Sequence, residues 1–159
     1  MARTLLVSAL LLIAGCAAPR PDAKVSFEQT VKLHLASAQL SGSERTKLLE
    51  RVAGEYEHFL KSYRDQPYWC AQALHSLGNV RAEQDRLDDA VKLYRRVSEQ
   101  YPQQDWEVLQ AWKSAADLLW DANRQPEAKK FYQQIVTRFD VADAQAVVKT
   151  IVRGSKARL

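Results

Sequence analysis

The chain has 159 residues, 47% hydrophobic and 26% charged, with 23 Lys and Arg against 19 Asp and Glu for a net charge of +4. That length suits one domain and is too short for two comfortable ones, and the apolar content excludes a chain that stays disordered throughout. Only five Gly and five Pro occur, two of the prolines at positions 19 and 21, so disorder is expected at the ends alone.

The first segment reads as an export signal. Arg3 gives a positive start, and Leu5 to Ala14 form an apolar stretch of ten residues, too short to cross a bilayer. It closes on Ile13-Ala14-Gly15-Cys16, which resembles the bacterial lipobox. The resemblance implies that Ile13, Ala14 and Gly15 are recognised by a signal peptidase and that Cys16 carries diacylglycerol. An ordinary secretory signal cleaved near Ala17 and Ala18 is the alternative. With a lipidated Cys16, residues 1–15 are the leader and 16–25 the anchor and tether. Each buried methylene contributes about 0.8 kcal/mol, so two or more chains hold a protein on a membrane it does not cross. Ala17 replaces the Asp that retains such lipoproteins at the inner membrane of enteric bacteria. That implies a lipid anchor in the outer membrane of a Gram-negative bacterium, facing the periplasm. Residues 17–24, with Pro19 and Pro21, read as an extended spacer of roughly 25 Å at about 3.1 Å per residue.

Beyond the tether the sequence repeats. Tyr56, Tyr94 and Tyr132 recur at one constant interval, with Val52, Ala90 and Ala128 four before them, Phe59, Val97 and Ile135 three after, and Tyr63, Tyr101 and Phe139 seven after. Apolar positions three and four apart, recurring at such a period, predict stacked helix pairs. The first unit, 26–66, opens with Ser26 and Gln29 as a capping box; Gly42 stops its first helix and Ser43 starts a long second one. In the second unit, 67–104, Pro67 starts a helix to Glu83, and a partner runs from Leu87 to Gln100. In the third, 105–140, Asp105 caps a helix through Trp112, Ala115, Ala116 and Leu119, and a second runs from Gln125 to about Phe139. Asp140 then caps a lone amphipathic helix, 141–153, expected to lid the stack, and 154–159 form a basic tail.

Leu74, Leu77, Gly78, Ala90, Tyr94 and Pro102 stand in the order and spacing of the tetratricopeptide repeat, which the second unit closely resembles. The interval between the tyrosines exceeds the usual period of that repeat by four, which adds about one helical turn and keeps nearly the same buried face. The expected fold is therefore an all-α, tetratricopeptide-like α-solenoid of about three helix-turn-helix repeats with a C-terminal capping helix. Together with Tyr101-Pro102 and Gln66-Pro67-Tyr68, the long units resemble periplasmic tetratricopeptide proteins of the Gram-negative envelope. The nearest types are the lipoprotein of the outer-membrane β-barrel assembly machine and the Tol/Pal coordinator.

No catalytic pattern accompanies the repeats. His34, His58 and His75 lie on different helices, and neither His-Glu-x-x-His nor paired Cys-x-x-Cys is present. No Gly-rich phosphate loop or Gly-x-Ser-x-Gly elbow occurs either, so no enzyme, metal, cofactor or small-molecule substrate is expected. Cys70 reads as a buried thiol, with a link to another chain as the alternative. The pairs Asp88-Asp89 and Arg95-Arg96 read as solvated helix faces. Trp112 reads as core. Trp69, Trp106 and Trp120 read as outside the repeat pattern, suited either to an interface or to packing under neighbouring helices.

The family geometry implies a groove lined by the first helices. Carried onto this chain, it names His75, Asn79 and Ala82 in the second unit, Lys113, Asp117 and Trp120 in the third, and Ser37 in the first. The expected occupant is an extended peptide or a helix of another envelope protein, which makes the protein a non-enzymatic adaptor or scaffold. A pilotin-like chaperone for a secretin, pilus or outer-membrane complex is the alternative. A third reading has the basic tail binding anionic lipid; export argues against nucleic acid.

Overall fold

The computed structural model describes residues 20–159, so the lipobox residues Ile13, Ala14, Gly15 and Cys16 lie outside the described part. Seven helices follow in order among the described residues: α1 (Ala23–Ser37), α2 (Gly42–Ser62), α3 (Pro67–Glu83), α4 (Leu87–Gln100), α5 (Asp105–Asp121), α6 (Gln125–Phe139) and α7 (Ala146–Lys156). Each packs against its successor, and the first helices also meet across the stack, α1 against α3 and α3 against α5. The second helices show no comparable approach, so the first helices form the inner wall and the second helices the outer one.

The three matched tyrosines occupy equivalent places on α2, α4 and α6, with Tyr56, Tyr94 and Tyr132 buried in the core. Their flanking sets are buried with them: Val52, Ala90 and Ala128 on one side, Phe59, Val97 and Ile135 on the other. Tyr94 donates its hydroxyl to Asn79 Oδ1 at 2.8 Å and Tyr132 to Asp117 Oδ1 at 2.7 Å, each reaching back to the first helix of its own unit. Tyr56 has no such partner. One period before Asn79 stands Ser41, in the turn before α2, so the degenerate first unit lacks the acceptor.

The turns inside the second and third units share one geometry. Asp85 and Asn123, one period apart, both have φ 59°. Short polar side chains tolerate this left-handed region. Arg86 N–H then bonds to Arg81 O at 2.9 Å and Arg124 N–H to Leu119 O at 2.8 Å, satisfying carbonyls that the helix ends would otherwise leave open. Gly78 permits the close approach of α3 and α4, since a Cβ there would lie 2.5 Å from Tyr94 Cε1. Ala116 takes the equivalent place in the third unit and is fully buried.

Several boundaries differ from those the sequence suggests. Asp22 caps α1, accepting from Val25 N–H at 3.2 Å. Ser26 lies within that helix and bonds to Tyr63 Oη at 2.7 Å, so the capping box is not used. The spacer is shorter for the same reason. Arg20 is already pinned to the end of α2, its guanidinium on Asp65 at 2.9 and 3.0 Å and over the Tyr63 ring at 4.5 Å. Gly42 begins α2, Gln104 rather than Asp105 precedes α5, and Asp140 closes α6, leaving α7 to start at Ala146. The C-terminal residues are not a free tail: helix continues to Lys156, whose ammonium pairs with Asp140 at 2.5 Å.

Candidate protein interface

Residues spaced by three and four share a helix face. On α3 the groove positions His75, Asn79 and Ala82 therefore share a stripe with Tyr68 and Gln72. On α5 the same stripe runs through Trp106, Gln110, Lys113, Asp117 and Trp120. The two match position by position at the repeat interval: Tyr68 with Trp106, Gln72 with Gln110, His75 with Lys113, Asn79 with Asp117, Ala82 with Trp120.

Several of the groove residues named from the sequence are engaged within the fold. His75 Nε2 lies 3.1 Å from Ser114 Oγ on α5, and its ring centroid is 5.6 Å from that of Tyr94. Burial disfavours the charged imidazolium there and pushes its pKa down from 6.5 to about 4. Asn79 is occupied in accepting from Tyr94. Ser37 is 1% exposed, so it cannot line a groove.

The third unit is covered by the chain's own C-terminus. Asp117 Oδ2 accepts from Lys113 Nζ at 2.5 Å, while its Oδ1 accepts from Arg158 at 3.0 Å as well as from Tyr132. The Arg158 guanidinium also bonds to Tyr132 Oη and lies 5.2 Å from the Trp120 ring centroid. Trp120 meets Tyr132 edge-on at 6.0 Å, so cation and two rings close this end of the wall. A cavity of about 200 Å³ remains between Lys113, Asp117, Tyr132, Ile151 and Arg158.

The opposite end of the wall is open. Tyr68 is 48% exposed and Trp106 46% exposed, large aromatic surfaces that no part of the described chain covers. Taken alone, Trp106 reads as outside the repeat; set one period after Tyr68, it is half of a matched pair. Cys70, two residues after Tyr68 and so on the other face of α3, is fully buried and donates to Tyr63 O at 3.0 Å, and burial raises its pKa. Trp69 is partly buried, its ring centroid 5.5 Å from that of Phe27. Among the described residues no helix is long and apolar enough to cross a membrane, and no cluster of His, Cys, Asp and Glu is placed to hold a metal.

No curated protein matches the chain. Residues 69–140, from the first turn of α3 to just past the end of α6, match the family model described as tetratricopeptide repeat, and the seven helices of the described residues form an all-α, tetratricopeptide-like solenoid.

Proposed function

We propose that the protein is a non-enzymatic scaffold of a bacterial envelope, held on the outer membrane by lipid on Cys16, that binds a segment of another envelope protein along its inner wall. The repeats supply a frame for protein partners. The observation that carries the site is the pair of exposed aromatics, Tyr68 and Trp106, at matching positions of adjacent first helices. Large rings on a rigid frame make strong contacts because little side-chain entropy is lost on binding. Gln72 and Gln110, next along each stripe, add amides suited to a peptide backbone. An extended peptide or a short helix, anchored by apolar side chains between Tyr68 and Trp106, fits this edge.

The test is photocrosslinking in cells from position 106, with position 120 as control. Adducts are expected from 106 and few from 120, where Arg158 stands in the way. Combined Tyr68→Ala and Trp106→Ala should weaken capture of the crosslinked partner tenfold or more, since two anchor rings each contribute about 1–2 kcal/mol or more. Undiminished capture by that double variant would remove this edge as the site. The anchor is tested separately: Cys16→Ser should move the protein into the soluble periplasmic fraction, and continued sedimentation with membranes would refute it.

A further inference from the structure

The outer side of the stack carries a second surface, unrelated to the aromatic edge. A groove of about 700 Å³ runs between α2 and α4, with α3 as its floor. Six of the charged side chains lining it are cations and two are carboxylates. Both carboxylates are already used: Glu57 pairs with Arg81 at 2.9 Å, and Asp89 pairs with Arg86 at 2.7 Å. Lys92 reaches only that same Asp89, at 3.9 Å. Lys61, Arg64 and Arg96 are exposed and meet no carboxylate within 4.0 Å among the described residues. Between these cationic walls lie Leu60, Leu77 and Leu93, with Tyr101 also lining the recess.

The surplus charge is particular to this groove. One period further along, the ion-paired residues Arg86 and Asp89 become Arg124 and Glu127, which pair in turn at 2.6 Å. The unpaired cations are not repeated: Lys61, Arg64 and Arg96 become Glu99, Pro102 and Gln134. Stacking the units therefore does not require them. Like charges facing each other across a recess repel, and an anionic occupant relieves that repulsion.

We propose that this groove docks an acidic, amphipathic helical segment of a protein partner. Lys61 in the last turn of α2 and Arg64 in the turn just after it stand on one wall, and Lys92 and Arg96, four apart on α4, stand on the other, so each wall presents a pair of cations. A helix with an apolar stripe flanked on both sides by carboxylates would match the two walls and the leucine floor together. A flat bilayer would meet only the crests. Residues 1–19 of this chain contain Arg3 and no acid, so they do not supply the complement.

The probe is a labelled synthetic helix of about three turns, with a leucine stripe between two rows of glutamate, titrated into the full chain and followed by fluorescence anisotropy. Saturable binding is expected, weakened by salt, and reduced tenfold or more by combined Lys61→Glu, Arg64→Glu and Arg96→Glu with circular dichroism unchanged. The same peptide with lysine for glutamate should not bind. Trp106→Ala should leave binding intact, which separates this surface from the inner edge. Equal binding by the charge-reversed variant would overturn the proposal. So would equal binding of a glutamate peptide lacking the leucines. Groove-dependent binding of anionic phospholipid vesicles in place of the peptide, or a dimer dispersed by the same charge reversal, would assign the groove to lipid or to a second copy and equally overturn it.

Discussion

His75 shows how a residue chosen for a surface can serve an interface. The helical stripe on which it lies was legible in the sequence; its rotation toward Ser114 was not, because periodicity gives a residue's face but not the depth of the neighbouring helix. Its pKa of about 4 in the fold, against 6.5 when free, means that the folded state binds fewer protons between those values. Stability from this residue is thus full above pH 6.5 and lost as pH falls toward 4, by up to about 3 kcal/mol. Denaturant unfolding at pH 7 and at pH 4.5 should show a larger drop in stability for the wild type than for His75→Gln. Asp117 shows the opposite limit. Its pairing with Arg158 spans 41 residues, and no repeat pattern carries such a contact.

At the scale of the element, the second unit is held by one tight contact between α3 and α4. Gly78 and Ala116 are equivalent in sequence, and either small residue suggests a close helix pair. The structure distinguishes them, because a methyl at 78 would meet the Tyr94 ring at 2.5 and 2.7 Å. The ring is anchored at its far end by Asn79 and cannot swing away without losing that bond. Gly78→Ala is expected to destabilise the protein by about 1–3 kcal/mol, measured as a lower denaturation midpoint with an unchanged slope. Helix bounds in this unit were legible because Pro67, the Gln84-Asp85-Arg86 turn and Pro102 punctuate it. Those of α1 and α7 were not, since several polar residues there could each have capped a helix and only the packing selects among them.

For the whole molecule, a stack in which each helix rests on its neighbours propagates damage only locally. Arg158 fastens α7 to α5 and α6, so Arg158→Ala should speed amide exchange within α7 by roughly fivefold, the effect of losing about 1 kcal/mol of hydrogen bonding. Exchange in α3 and α4 should be unchanged, and acceleration throughout the chain would mean that the stack unfolds as one unit. The solenoid as a whole was legible because its matched tyrosines sit on equivalent second helices. The closure of one end of its inner wall was not, because a lone arginine near the end of a chain gives no sign of where it will dock.

Arg20 sets a geometrical limit that reaches beyond the fold. Its partner Asp65 is held ionised, with a pKa of about 2, chiefly by the hydrogen bonds from Arg20 and then by its own backbone. The clasp therefore survives any moderately acid medium. Only four peptide steps separate Arg20 from Cys16, a reach of at most about 14 Å. A fatty acyl mooring at Cys16, if it is there, would leave the foot of α2 almost grazing the lipid headgroups, with Tyr68, three residues past Asp65, on the side of the stack turned toward the bilayer.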